Sequence, residues 1–323
     1  MVYNMINSAV DKILSMPLDE LILTANRVRQ KHCDGKFEAC GILNAKSGAC
    51  REDCKFCAQS MRSSADVKRY PLVDAVRIVE AAEQAEINGA ERFGIVTSGN
   101  RLSLSELKVI AKAIKSIRGN LDIMPCASLG NIDEKALILL KRAGLVRYHH
   151  NLETSERFYP KIVTTHKFNE RVRTVKLAKS VGLEVCSGGI LGLGETWQDR
   201  IDLACLLKEL KVDAAPLNFF IPIEGTPMGD DLSLTGCSAK SYKECPHLTV
   251  DAVKIIALFR VILEKSDIKI IAGRESILRD FQALLYMSGA NGMMIGGYLT
   301  KQGRSLEEDR ALIGQVRGLW NEK

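Results

Sequence analysis

A closed α/β barrel of the (β/α)8, TIM type, preceded by a helical extension, is the architecture this sequence predicts. Three observations lead there. Short β-rich runs alternate with longer helical patterns from about residue 36 to 300. Eight such strand–helix units can be followed in order, and nothing between them has the composition of an interdomain linker. Eight repeats of that kind in one run close into a barrel; a doubly wound open sheet is the alternative that the same alternation allows.

Residues 1–35 read as one or two helices capping the barrel floor, and 36–323 as the barrel domain. The predicted strands are 36–43, 92–98, 121–128, 146–152, 183–190, 214–221, 268–273 and 292–297. Between them, segments such as "SELKVIAKAIKSIRG" and "EKALILLKRAG" repeat apolar residues at three- and four-residue intervals, the helical period. Pro71 and the Ser103-x-x-Glu106 box mark helix starts, and Gly89, Gly144 and Gly182 mark helix ends. The polar stretch 228–249 reads as an irregular insertion after the sixth strand. In a barrel of this kind the active site sits at the C-terminal ends of the strands.

Composition narrows the function. With 323 residues, 46% hydrophobic and 26% charged, the chain can bury a large core. The net charge of +6 is spread along the sequence rather than gathered into a basic face, which argues against nucleic acid and suits an anionic small substrate. No apolar stretch approaches the roughly 18–20 residues of a membrane helix, and the amphipathic N-terminus lacks a signal-peptide pattern, so a cytoplasmic location is expected. Ten cysteines in a reducing compartment then argue for metal or catalytic chemistry over disulfides.

Three of those cysteines, Cys50, Cys54 and Cys57, lie within "GACREDCKFCAQS" (48–60), in the loop after the first strand. Short, unequal spacings let one loop wrap a corner of a cubane iron–sulfur cluster, leaving one iron for another ligand. A zinc site completed by a distant residue is the other reading, although zinc favours paired CxxC units. The glycines of "SGGILGLGET" (187–196) permit close backbone approach at the mouth of the fifth strand. Thr196 reads as the cap of the next helix.

The CxxxCxΦC motif, with Phe56 as its aromatic member, resembles the signature of the radical S-adenosylmethionine (SAM) enzymes, in which the open iron of a [4Fe–4S] cluster holds SAM. "HHNLETS", "VCSGGILGLGET", "LNFFIPIEGTP", "AGRES" and "GAN", in order over nearly the whole barrel, make the chain similar to the biotin synthases among them. That resemblance implies sulfur insertion into dethiobiotin, with SAM as the source of the hydrogen-abstracting radical. It implies a flavodoxin- or ferredoxin-type electron donor, a homodimer, and no role for nucleic acid or membrane. Another radical SAM barrel enzyme, such as a maturase or mutase, is the alternative. By the same resemblance Asn151, Glu153, Arg171 and Ile190 contact SAM, and Asn151, Asn218 and Thr300 contact the substrate.

The resemblance also implies an auxiliary iron–sulfur cluster that donates the sulfur, held by three cysteines and an arginine. Cys126, Cys186 and Arg274 match, but Gly94 stands where the family carries a cysteine on the second strand. Cys40, on the neighbouring first strand, offers a replacement thiolate. The expected ligand set is therefore Cys40, Cys126, Cys186 and Arg274. The volume freed at Gly94 makes a larger four-iron cluster an alternative to a [2Fe–2S] one. Cys33 and Cys205 read as small apolar residues of helices. Cys237 and Cys245 read as free thiols of the insertion.

Overall fold

The computed structural model describes residues 15–33, 35–231, 246–299 and 303–321. Its strands are β1 (Glu38–Lys46), β2 (Arg92–Thr97), β3 (Met124–Ser128), β4 (Arg147–His149), β5 (Glu184–Cys186), β6 (Gly189–Leu191), β7 (Ala214–Phe219), β8 (Asp267–Ile270) and β9 (Gly292–Met294). All pair in parallel, in the order β5-β4-β3-β2-β1-β9-β8-β7-β6, and β5 also pairs with β7. That last pairing closes the sheet, so β5 and β6 are two halves of one position in an eight-position barrel. The open-sheet alternative is excluded.

The break inside the fifth position has a local cause. Ser187 and Gly188 separate its halves, and a Cβ on Gly188 would collide with the carbonyl oxygen of Pro216 on β7. A Cβ on Gly189 would meet the carbonyl of Glu153, whose residue bridges to Gly189. Gly188 thus lets β7 approach closely, and Gly189 lets the segment after β4 press against the barrel wall.

The helices flank the strands as the apolar period predicts. They are α1 (Leu18–Cys33), α2 (Ala75–Ile87), α3 (Leu104–Asn120), α4 (Glu134–Ala143), α5 (Tyr159–Ile162), α6 (Phe168–Ser180), α7 (Trp197–Glu209), α8 (Pro227–Asp230), α9 (Pro246–Leu263), α10 (Arg274–Leu278), α11 (Ala283–Met287) and α12 (Leu306–Asn321). The capping box at Ser103 and Glu106 opens α3, and Thr196 caps α7 through a reciprocal pair with Asp199. Gly144 caps α4 in the left-handed conformation, at φ 107°. Pro71 does not start a helix: α2 begins after Asp74, whose carboxylate accepts from the Arg77 amide. Of the 228–249 insertion, residues 232–245, with Cys237 and Cys245, lie outside the described residues.

α1 packs against α9 and α11, its Arg29 guanidinium stacks 3.7 Å above the Trp320 ring of α12, and its last residues, His32 and Cys33, face a cavity at the N-terminal ends of the strands. Cys33 is buried beside the charged Arg29 and Arg260 rather than in an apolar setting, and Cys205 is half-buried on α7. No described helix is long and apolar enough to cross a membrane.

Candidate active site

The loop from Gly48 to Ser60 leaves the top of β1 and folds back on itself. The amide of Cys50 donates to the Gln59 carbonyl (3.2 Å), and the Met61 amide to the Cys50 carbonyl (2.7 Å). Gln59 Oε1 accepts from the amide of Gly48 at 3.1 Å. The loop is also fastened to the segment after α5. Asp53 accepts from the Thr164 and Thr165 amides (2.9 and 3.1 Å) and from both hydroxyls. Glu52 pairs with Nδ1 of His166 at 2.8 Å. Glu52, Asp53 and His166 carry no signal in isolation, because their partners lie more than 100 residues away in sequence.

Cys50, Cys54 and Cys57 line one cavity of about 190 Å³ together with Phe56, Asn151, Glu153 and Arg171. The four positions expected from sequence to contact SAM divide here. Arg171 is clamped: its Nε donates to the Tyr159 hydroxyl (2.7 Å), and its Nη1 to the Asn151 carbonyl (2.8 Å) and to Glu153 (3.3 Å). Arg171 is thus no solvated helix-face residue but part of the cavity wall. Asn151 accepts from the Gly188 amide at 3.1 Å. Glu153 sits at φ 71°, a left-handed conformation that side chains other than glycine, asparagine and aspartate rarely adopt. Ile190, expected along the adenine, lines neither this cavity nor the next; its amide donates to the Glu153 carbonyl at 2.8 Å.

A second cavity, of about 410 Å³, continues inward. It shares Phe56, Cys57, His149, Asn151 and Glu153 with the first, so the two are one space. Cys40, Cys126 and Cys186 line its depth, along with Gly94 and Asn218. Asn218 accepts from the Ala272 amide and donates to the Gly189 carbonyl, both at 3.3 Å. His149, on the wall between the two parts, is held neutral: burial brings its pKa down to about 4. Thr300 lies outside the described residues.

Arg274 is not with the three inner cysteines. The expected seventh strand ends at Ile270, and Arg274 opens α10 beyond it. Its buried guanidinium donates to the Ile271 carbonyl (3.0 Å), the Tyr298 hydroxyl (2.9 Å) and Asp309 (2.8 Å). The cation that does reach the cysteines is Lys269, the residue of β8 whose side chain enters the barrel. Its Nζ lies 3.1 Å from the Cys40 sulfur and pairs with Glu38. Glu38 is further clamped by Arg92 (2.7 Å) and Arg147 (3.0 Å). These three cations surround one buried carboxylate; all three act on Cys126 and Cys186, and Lys269 on Cys40.

The donor chemistry fits iron–sulfur clusters at both ends. Each triplet consists of free cysteines. Burial raises the Cys54, Cys40 and Cys186 thiols above the ordinary range and takes Cys57 and Cys126 up to about 11. A buried thiol of that kind becomes a ligand when a cation compensates the thiolate. Around the inner triplet Arg92, Arg147 and Lys269 already oppose the cost of burial. One guanidinium nitrogen there, Arg92 Nη1, is buried without a partner. Among the described residues no three His, Cys, Asp or Glu side chains form a group that could hold a single metal ion, as a mononuclear zinc site would require.

Comparison with known proteins agrees with this geometry. The Radical SAM superfamily model matches residues 45–207, and the Biotin and Thiamin Synthesis associated domain model matches 216–316. The second match runs from β7 to α12, so it covers the last part of the same barrel rather than a separate body. Among solved structures, methylornithine synthase aligns over 96% of this chain and 91% of its own, with TM-score 0.77 and 18% identity. The hydrogenase maturase HydG of Carboxydothermus hydrogenoformans aligns over 97% of this chain and 78% of its own, with TM-score 0.74 and 17% identity. Both show the shared fold. The biotin synthase of Thermotoga petrophila is 50% identical over 95% of this chain and 98% of its own length. That of Geobacter metallireducens is 46% identical over 91% and 85%. Identity at that level, sustained from the cysteine loop to the last helix, has one meaning: the chain belongs to the biotin synthase family of the radical SAM superfamily.

Proposed function

We propose that this barrel converts dethiobiotin to biotin with SAM, holding a [4Fe–4S] cluster on Cys50, Cys54 and Cys57 and a sulfur-donating auxiliary cluster on Cys40, Cys126 and Cys186. The observation that carries the reading is the single space with a cysteine triplet at either end. When bound, the clusters and SAM supply the one-electron chemistry that removes hydrogen from an unactivated carbon, and the sulfur to be inserted.

The chain's own residues position and insulate. Arg171, locked by Tyr159, Asn151 and Glu153, presents a guanidinium for the carboxylate of SAM. Glu153 and Asn151 face the same cavity with oxygen and amide groups suited to ribose hydroxyls. Asn218, deeper on β7, offers both a donor and an acceptor, as a cyclic urea needs. Phe56 and the neutral His149 line the passage between the two ends. A small enclosed space of this kind holds the reacting atoms close and keeps water out. Lys269, in place of Arg274, supplies the positive charge beside Cys40.

Gly94 pairs in register with Cys126 and faces the inner cavity. The room it leaves favours a larger four-iron auxiliary cluster over a [2Fe–2S] one. A flavodoxin- or ferredoxin-type donor and a homodimer complete the reading by family analogy.

Anaerobic reconstitution tests it. SAM should change the spectrum of the outer cluster, and dithionite should then yield methionine and 5′-deoxyadenosine. With dethiobiotin added, biotin should appear by mass spectrometry. Absence of a spectral change on adding SAM would overturn the outer site. Turnover of SAM without biotin would overturn the substrate.

A further inference from the structure

On the face of the barrel opposite the substrate space lies a third cavity, of about 830 Å³. The strand residues lining it are the first of their strands: Arg92 on β2, Arg147 on β4, Glu184 on β5 and Asp267 on β8. It therefore opens at the N-terminal ends of the strands, where the family's substrate chemistry does not take place. Two residues line both this cavity and the inner cysteine cavity: Arg92 and Arg147. Along the barrel axis, a pair of guanidinium groups stands between the solvent below and the three cysteines above.

Those two groups are held by two carboxylates of different character. Glu38 is buried and holds both from within, at 2.7 and 3.0 Å. Glu184 is more than a third exposed and holds both from the cavity side, through Arg92 Nη2 at 3.0 Å and Arg147 Nη2 at 2.8 Å. The outer restraint is thus accessible to water, whereas the inner one is not. The orphaned Arg92 Nη1 supplies a buried donor for an anion at this boundary. At the rim, Lys211 and Lys265 are exposed and hold no salt bridge among the described residues. The mouth carries the unpaired Lys211 and Lys265 beside lysines paired with Asp267 and Glu264, and the partition is a guanidinium pair balanced by Glu38 and Glu184, with thiols behind it.

We propose that this cavity is an inlet for a small sulfur anion of the hydrosulfide class, with Arg92 and Arg147 as its gate and Arg92 Nη1 as the transient binding group. The proposal rests on the assignment of a sulfur-donating cluster to Cys40, Cys126 and Cys186. A catalyst that gives up sulfur from such a cluster must have it restored. The upper route is the one that SAM and substrate take, whereas the floor route reaches the same cysteines from behind. Attraction at the mouth raises the local concentration of anions, and the guanidinium pair admits a small anion while excluding bulk solvent and larger solutes. Glu184 sets how readily the pair parts.

Protein carrying both clusters is taken through one turnover, desalted, and supplied with ³⁵S-labelled sulfide; protein-bound label is followed with time. The double substitution Lys211→Glu and Lys265→Glu touches only the exposed rim, so first-turnover biotin and iron content stay unchanged. Label uptake should slow by roughly tenfold at low ionic strength. The difference should vanish in about 1 M salt, where the screening length falls to about 3 Å. Glu184→Gln, which weakens the outer restraint, should speed uptake. Equal uptake by all three proteins at low salt would overturn the inlet while leaving the auxiliary cluster in place. Inner iron that survives Cys40→Ser would instead overturn the cluster assignment, and the inlet with it.

Discussion

The ammonium of Lys269 lies 3.1 Å from the sulfur of Cys40 and shares Glu38 with Arg92 and Arg147. A buried, charged lysine needs an anion beside it, and here that anion is the Glu38 carboxylate. Replacing it with methionine keeps most of the volume and removes the charge. Breaking a buried pair in this way costs about 3–5 kcal/mol, read as a lower midpoint in urea unfolding. Lys269→Met should also lose the inner cluster's iron while the outer cluster, read by its response to SAM, remains. A full inner complement would mean that the ammonium serves only the charge network.

Cys40→Ser should likewise remove the inner iron and spare the outer. Gly94 allows a sharper version of that experiment. It lies on β2 between Ile42 on β1 and Cys126 on β3. A Cβ there would meet the Ile42 Cγ2 at 3.1 Å, tight but against a side-chain methyl rather than backbone. In the double variant Cys40→Ser, Gly94→Cys a thiol again faces the cavity. Inner iron and acid-labile sulfide should partly return, with an altered absorption spectrum because the ligand has moved one strand over. No recovery would show that the position of Cys40, rather than a third thiol, is what the site requires.

How much of this was legible in the sequence depended on range. The strand–helix alternation and the capping boxes at Ser103 and Thr196 are local patterns, and they survive in the structure. The outer triplet sits within eight residues and was equally legible. Lys269 was not, since a lysine within an apolar strand looks like an edge residue until Glu38 appears 231 positions earlier. Arg274 misled for the opposite reason. Its match to the family's cluster arginine places it with Cys126 and Cys186, but Gly273, at φ 92°, turns the chain into α10 and carries the guanidinium to Asp309. The split of the fifth strand was hidden because only the approach of Pro216 and Glu153 explains its glycines.

Glu153 should tolerate one neighbour and reject another. At φ 71° its backbone suits aspartate or asparagine and penalises a β-branched residue. Glu153→Val combines that penalty, about 1–3 kcal/mol, with loss of the carboxylate 3.3 Å from Arg171. Both thermal stability and SAM binding by equilibrium dialysis should fall. Glu153→Asp keeps the charge and the backbone preference, so stability should be retained and SAM affinity reduced less. Equal affinities for the two variants would remove Glu153 from the SAM site.

Asp199 gives the stability a defined pH dependence. It is buried and accepts from the Ser155 hydroxyl (2.6 Å), the Thr196 amide and hydroxyl (2.9 and 2.7 Å) and Arg157 (2.8 Å). Burial by itself would raise its pKa, but the hydrogen bonds from Ser155 and Thr196 outweigh it and hold the carboxyl below the ordinary value. In the unfolded chain the group titrates near 3.9, or about the free aspartate value. Its contribution is therefore fully present above that pH and disappears as the pH falls through the lower folded value. Asp199→Asn removes the ionisable group and leaves one acceptor oxygen for four donors. At neutral pH it should cost about 1–3 kcal/mol, and the gap to wild type should narrow steadily as the pH falls below the ordinary aspartate value. Urea unfolding at a series of pH values reads both. A gap independent of pH would mean that Asp199 acts by shape alone, and that the junction between the Glu153 segment and α7 is not held by its charge.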